Sequence, residues 1–121
     1  MARILIIEDD TEVRDYLERI LTRAGYEVAS AANGKEGVDK FNAAPADLVI
    51  TDIIMPEKDG IETIMDLRRR NPDLKLVAIS GGGRGEPENY LHSAKLLGAK
   101  LTMKKPFTSE EMLDAVRGLI G

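Results

Sequence analysis

The feature that most constrains the fold is a regular alternation between short apolar runs and segments in which apolar residues recur at helical spacing. Three of the runs are nearly continuous and rich in branched residues, which is typical of strands buried on both faces of a parallel sheet. Two further runs are weaker strand candidates. The runs cover residues 3–7, 26–31, 48–51, 74–79 and 100–104. The pattern therefore predicts five strands separated by helices.

Five helical segments are indicated between and after these runs. Asp10 or Thr11 can cap the first, which ends before Gly25, and Thr108 with Glu111 has capping-box spacing at the start of the last. The segments lie near residues 13–24, 35–43, 61–67, 87–97 and 112–120. Because such an alternation implies right-handed crossovers, we predict an α/β fold, a doubly wound five-stranded parallel sheet with five helices covering both faces.

The length and composition fit one ordinary globular domain. With 121 residues, 43% of them hydrophobic, we expect a single domain over residues 1–121 and no separate output domain. The formal net charge of -4 predicts no general attraction to nucleic acid or anionic membranes. No apolar run approaches membrane-spanning length and no signal peptide precedes the first strand, so a cytoplasmic location is expected.

Polar side chains follow the predicted strands at their carboxyl ends, where doubly wound sheets bind their ligands. Carboxylates that converge in one cleft repel one another and take up protons unless a cation neutralises them, and hard oxygen ligands favour Mg2+. A lysine ammonium and a serine hydroxyl in the same cleft suit phosphoryl transfer to a carboxylate nucleophile. The residues concerned are Glu8, Asp9, Asp10, Asp52, Ser80, Lys104 and Lys105.

Each of these residues, taken alone, also has a purely structural explanation. The acidic triplet at residues 8–10 could be only a strand end followed by a helix cap. Asp52 could cap a turn, although an acid that closes a buried apolar strand costs desolvation. Lys104 is interpreted as a solvated neighbour of the site. The basic run at residues 68–70 is interpreted as a solvated helix end, where the helix dipole favours cations.

Taken together and in this order, the strand-end residues resemble the receiver domain of two-component response regulators. The resemblance spans essentially the whole chain. It rests on Glu8-Asp9, Asp52-Ile53-Ile54-Met55-Pro56-Glu57-Lys58-Asp59-Gly60, Ser80, Gly98-Ala99 and Lys105-Pro106-Phe107. The resemblance implies a flavodoxin-like fold with strand order 2-1-3-4-5. It also implies a signalling switch, rather than an enzyme that acts on external substrates.

The resemblance further implies which residues carry out the phosphoryl chemistry. Asp52 would be the phosphoryl acceptor, and Ser80 and Lys105 would each bond a phosphoryl oxygen. Lys105 is preferred to Lys104 because it directly precedes Pro106, as in the family pattern. The peptide bond before this proline is commonly cis in the family.

A metal site is implied in the same way. Asp9 would bind Mg2+ directly and Glu8 would contribute through water. Asp52 and the backbone carbonyl of Ile54 would complete the metal shell. Asp10 is interpreted as the helix N-cap instead.

The chain departs from the family pattern in three places. Thr102 stands where receivers usually have an aromatic side chain that changes rotamer on activation. The glycine-rich stretch 81–85 after Ser80 is longer than usual. Ile54 and Gly82 offer no polar group at positions that often influence phosphoryl hydrolysis. These departures leave open how a phosphoryl group on the chain changes partner binding.

The predicted function is therefore a phosphorylation switch. A histidine kinase or histidine phosphotransfer protein would donate to Asp52, and a downstream protein would bind the face formed by the last helix, strand and helix. A phosphorelay intermediate and a constitutive interaction module remain alternatives. A phosphatase of the dehalogenase-like type is disfavoured because Ile54 stands where a second acid is needed. A flavin module is disfavoured because the acidic turn at residues 8–10 would face phosphate.

Overall fold

One five-stranded parallel sheet forms the centre of the molecule, in the order β2-β1-β3-β4-β5. The computed structural model describes residues 2–53, 60–80 and 98–121. The strands are β1 (Arg3–Ile7), β2 (Glu27–Ala31), β3 (Leu48–Asp52), β4 (Lys75–Ser80) and β5 (Leu101–Lys104). The predicted strand order is confirmed, and each strand begins and ends within one residue of the predicted run.

Four helices connect or follow the strands within the described ranges. They are α1 (Thr11–Arg23), α2 (Gly34–Ala43), α3 (Gly60–Arg70) and α4 (Ser109–Ile120). The further helix predicted over residues 87–97 lies outside the described residues. None of these four helices has the length and apolar character needed to cross a lipid bilayer.

The sheet is buried on both faces, as its apolar runs predict. Helices α2 and α3 cover one face with Phe41, Ile64 and Leu67, and helices α1 and α4 cover the other with Leu17 and Met112. Every residue of β3 is buried, so the central strand meets little water along its whole length. Because all five strands run parallel, their carboxyl ends lie together at one edge of the sheet.

Local capping determines where the helices begin. Asp10 is the N-cap of α1, and its side chain accepts hydrogen bonds from the backbone N–H groups of Glu12 and Val13. Asn33 caps α2 in the same way, a role that the sequence interpretation missed. The chain leaves α1 through Gly25, whose φ of 100° lies in the left-handed region.

Thr108 begins α4 with the predicted capping box. Its hydroxyl accepts from Glu111 N at 3.0 Å and its backbone N–H donates to Glu111 Oε1 at 2.9 Å. We expect Thr108→Ala to lower the free energy of unfolding by about 1 kcal/mol, because the N-terminal turn loses its side-chain acceptor. Urea unfolding measures this loss. Thr108→Ser keeps the hydroxyl and should retain most of the stability, so an equal loss in both variants would contradict the capping account.

The interpretation of residues 68–70 as a wholly solvated helix end is wrong for Arg68. Arg69 and Arg70 are exposed, but the Arg68 guanidinium is half-buried and donates to the carbonyls of Pro72 and Gly98. A Cβ added to Gly98, whose φ is 102°, would lie 2.9 Å from Arg68 Nε. Arg68 therefore anchors the chain just before β5 to the end of α3, a contact between residues 30 positions apart that no local pattern reveals.

The other end of α3 is held equally closely. Gly60 N donates to Ile53 O at 2.6 Å. A Cβ at Gly60 would lie 2.3 Å from both Asp52 O and Ile53 Cα. Only glycine fits this approach, so α3 begins in direct contact with the backbone that follows β3.

Candidate functional site

Three strand ends bring charged side chains into one cleft at the carboxyl edge of the sheet. Glu8 follows β1, Asp52 ends β3, and Lys105 follows β5. Glu8 and Asp52 are buried, with 0% and 5% of their surface exposed, so neither charge is solvated as it would be at a surface. Burying an ionised acid without an opposite charge is unfavourable, and the ammonium group of Lys105 supplies that charge here.

Lys105 lies between the two buried acids. Its Nζ is 2.8 Å from Glu8 Oε1 and 3.3 Å from Asp52 Oδ2. The contact with Asp52 has hydrogen-bond geometry, whereas Glu8 Oε1 is fully buried and accepts no hydrogen bond of normal geometry despite its close ion pair. The site thus holds a buried carboxylate oxygen whose bonding capacity is only partly used.

The remaining polar atoms of Glu8 are held by three separate partners. Glu8 N donates to Ala31 O at 3.0 Å, which extends the ladder between β1 and β2 by one residue. Glu8 Oε2 accepts from Asp10 N at 3.1 Å, and Glu8 O accepts from Arg14 Nη1 at 2.9 Å. These bonds hold the Glu8 carboxylate in the cleft.

Burial and crowding change the acidities of the cleft. Burial, followed by the charge of Asp52, raises the pKa of Glu8 from 4.5 to about 8, against the opposing effect of Lys105. Burial also raises the pKa of Asp52, although Lys105 opposes it. Burial acts to lower the pKa of Lys105, but the contacts with Glu8 and Asp52 outweigh burial and raise it. Lys105 alone therefore does not compensate the negative charge of the site.

The carboxylates form a group suited to a hard divalent cation. One oxygen from each of Glu8, Asp9 and Asp52 lies within 4.8 Å of the others, and Asp9 is the exposed member at the mouth of the cleft. Burial, followed by the charge of Asp52, raises the pKa of Glu8, and its Oε1 accepts no hydrogen bond, so a cation bound here would favour the ionised form of the acids. Oxygen donors of this kind are those that Mg2+ prefers, so the residues present fit this ion.

Of the sequence-predicted site residues, Ser80 is described only in its backbone and Ile54 is not described. The backbone of Ser80 pairs with Lys104 across β4 and β5, but the Ser80 side chain lies outside what the structure describes. Ile54, the predicted carbonyl ligand, also lies outside the described residues. Lys104 is exposed, and Lys105 is the lysine that reaches the acids.

Two residues near the site were not predicted. Arg14, on the second turn of α1, bonds the Glu8 carbonyl. Thr51 is fully buried, and its hydroxyl donates to Asp52 O at 2.9 Å. Thr51 could have been noticed as a polar residue inside an apolar strand, whereas nothing in the sequence indicates that Arg14 reaches back six positions.

Comparison with known proteins shows the family of the chain that carries this cleft. The family model "Response regulator receiver domain" matches residues 4–117. The chain belongs to the response regulator receiver family. The Thermotoga maritima chemotaxis protein CheY is 36% identical over 115 residues, covering 94% of this chain and 93% of that protein. The Brucella abortus response regulator receiver protein CpdR is 42% identical over 81 residues, covering 67% and 68%.

Solved receiver structures show the same fold. The Vibrio cholerae chemotaxis protein CheY4 has 29% identity and a TM-score of 0.88, with 99% of both chains covered. Receiver domains are signalling switches in two-component systems rather than enzymes acting on external substrates. The flavodoxin-like sheet order predicted from the resemblance is therefore both observed in the structure and shared with this receiver.

Proposed function

We propose that this receiver is a phosphorylation-controlled switch that accepts a phosphoryl group on Asp52. The observation that carries the proposal is the position of Asp52 at the buried end of the central strand, with Lys105 Nζ 3.3 Å from its carboxylate and two further acids beside it. An ion pair that served stability alone would not need additional repelling acids. Surplus negative charge suits a site that binds a cation and a phosphoryl group together.

The transfer step uses groups of this chain. An oxygen of the Asp52 carboxylate attacks the phosphorus of a phosphohistidine donor, the phosphorus–nitrogen bond breaks, and its electron pair returns to the imidazole of the donor. Asp52 must be ionised to attack, and the nearby Lys105 ammonium favours that form. After transfer, Lys105 is placed to pair with a phosphoryl oxygen, and we assign the same role to Ser80.

Mg2+ completes the proposed site. Glu8, Asp9, Asp52 and the backbone carbonyl of Ile54 would hold it, with Asp9 as a direct ligand and Glu8 acting through water. When bound, Mg2+ neutralises the charge that accumulates on phosphoryl oxygens.

The biological setting follows from the same proposal. The donor is a histidine kinase or a histidine phosphotransfer protein, and the product is a changed affinity for a downstream protein on the face of the last helix, strand and helix. The proposed switch is carried by the receiver domain of this chain, and we expect it to act in the cytoplasm on protein partners. It promotes only its own phosphoryl transfer and dephosphorylation.

The test is labelling by a small phosphodonor. We expect the wild-type protein with Mg2+ and acetyl phosphate to gain the mass of one phosphoryl group, and Asp52→Asn to gain none, because an amide is not a nucleophile. Asp114→Asn is the matched control, since Asp114 is an exposed aspartate on α4 with 80% of its side chain accessible. Intact-mass spectrometry, with and without a chelator, measures the labelling of each protein. Equal labelling of wild type and Asp52→Asn would remove Asp52 from the mechanism.

Two related functions are separated by binding and transfer measurements. A phosphorelay intermediate would pass its phosphoryl group to a second histidine protein. A constitutive interaction module would bind its partner equally with and without beryllofluoride, a stable mimic of the phosphoryl group. The proposed switch requires binding that differs between these two states.

A further inference from the structure

The side chain of Arg14, on α1, forms a hydrogen bond with the turn that carries Glu8 and Asp9. Arg14 donates its backbone N–H to Asp10 O at 2.9 Å, as an ordinary helical bond. Its side chain reaches back past the N-cap and donates from Nη1 to Glu8 O, also at 2.9 Å. One residue therefore holds both ends of the segment Glu8-Asp9-Asp10.

The hydrogen bond between Arg14 and the Glu8 carbonyl matters most for Asp9. The carboxylate of Glu8 is buried and contacted by Lys105, but Asp9 is exposed, so its place depends chiefly on the backbone on either side. Asp9 contributes one of the three carboxylate oxygens that lie within 4.8 Å of each other. A rotation of the Glu8 peptide would move the Asp9 carboxylate away from Asp52.

We propose that Arg14 is a positioning residue for the acidic site, which sets the affinity for Mg2+ by fixing the peptide between Glu8 and Asp9. The inference rests on the proposed function, because Mg2+ is the ion assigned to that site. Charged donors make stronger hydrogen bonds than neutral ones, so the Arg14 bond is well suited to resist rotation of this peptide. Loss of a partner that orients a metal ligand from behind typically costs about ten- to hundredfold in metal affinity.

Charge and position make opposite predictions for Arg14. A guanidinium that bonds the Glu8 backbone beside the acidic site repels an incoming cation, so removing its charge would strengthen Mg2+ binding if charge were its only effect. Removing a positioning bond would weaken Mg2+ binding instead. The sign of the change in affinity therefore distinguishes the two roles.

The experiment is a titration with Mg2+ alone, followed by amide chemical shifts, on four folded proteins. We expect Arg14→Gln to bind Mg2+ roughly ten- to hundredfold more weakly than wild type. Arg14→Lys keeps the charge and one donor, so its Mg2+ affinity should lie between the affinities of wild type and Arg14→Gln. Arg19→Gln removes the same charge from an exposed position of α1 and should bind at least as tightly as wild type.

A second readout separates positioning from general stability. The Mg2+ concentration that half-saturates labelling by acetyl phosphate should rise in Arg14→Gln, while the rate at saturating Mg2+ stays close to wild type. A variant that is only less stable would unfold at a lower urea concentration but would keep the same half-saturating Mg2+ concentration.

Four results would overturn the inference. One is Mg2+ binding by Arg14→Gln that equals or exceeds that of wild type, and another is an equal weakening in Arg19→Gln. If Arg14→Gln does not fold, Arg14→Lys decides, and wild-type affinity in that variant rejects the role. Wild-type protein that binds no Mg2+ would overturn the proposed function itself and this inference with it, which is a different outcome from the first two.

Discussion

Raising the pH from about 5 to about 8 should lower the free energy of unfolding of the metal-free wild-type protein much more than that of Glu8→Gln. The folded-state pKa of Glu8 is about 8, against 4.5 in its ordinary state. A carboxyl with a raised pKa binds its proton more tightly when folded. Its stabilising contribution is therefore complete below about pH 4.5 and is lost as the pH rises through about 8, at up to about 1.4 kcal/mol per pH unit.

The measurement is urea unfolding of both proteins across this range in the presence of a chelator. The raised pKa of Asp52 acts in the same direction in both proteins. Glu36 is half-buried and its pKa is lowered, so it acts on stability only below about pH 4.5, and the difference between wild type and Glu8→Gln is the quantity to follow. Added Mg2+ should restore the stability of wild type near pH 8, because it binds only the folded site. If the free energy of unfolding changed equally with pH in the two proteins, the raised pKa of Glu8 would be rejected as its cause.

Gly60→Ala should be among the most destabilising single substitutions in the described chain, with a loss of about 3 kcal/mol or more. The added Cβ would lie 2.3 Å from Asp52 O and from Ile53 Cα, which are backbone atoms that cannot rotate aside. Either α3 or the end of β3 must move. Because the moving backbone belongs to Asp52, labelling by acetyl phosphate should slow as well.

Gly118→Ala is the matched control for this substitution. Gly118 lies in α4 with nothing within 4 Å of an added Cβ. The same change there should raise the free energy of unfolding by up to about 1 kcal/mol, because alanine is the better helix former. Urea unfolding of both variants tests the pair. A Gly60→Ala protein as stable as wild type would show that the close approach is not a constraint.

The sheet and most of the helices could be predicted because each apolar run is closed by a residue with a local meaning. Asp10 and Thr108 are caps that the sequence identifies, and the acids at positions 8 and 52 mark strand ends. The choice of Lys105 over Lys104 came from the resemblance rather than from strand periodicity. The predicted topology therefore indicated which strand ends meet, whereas the resemblance indicated which of the two lysines reaches the acids.

What could not be predicted depends on contacts across long distances in the chain. The complete burial of Glu8 results from the packing of several strands and helices around it, so its pKa of about 8 has no local signature. The guanidinium of Arg68 was interpreted from its own helix, whereas its partner Gly98 lies 30 residues away. In both cases a charged side chain finds a partner that only the folded chain supplies.

β5 is held in place on both of its described sides, by β4 and by α3. Lys105 follows a strand that pairs directly with β4, and Lys100 N donates to Leu76 O at 2.8 Å. Before β5 the chain passes through Gly98, which Arg68 holds from α3. Substitutions that leave these backbone bonds and Arg68 intact should therefore leave Lys105 in its place beside Glu8 and Asp52.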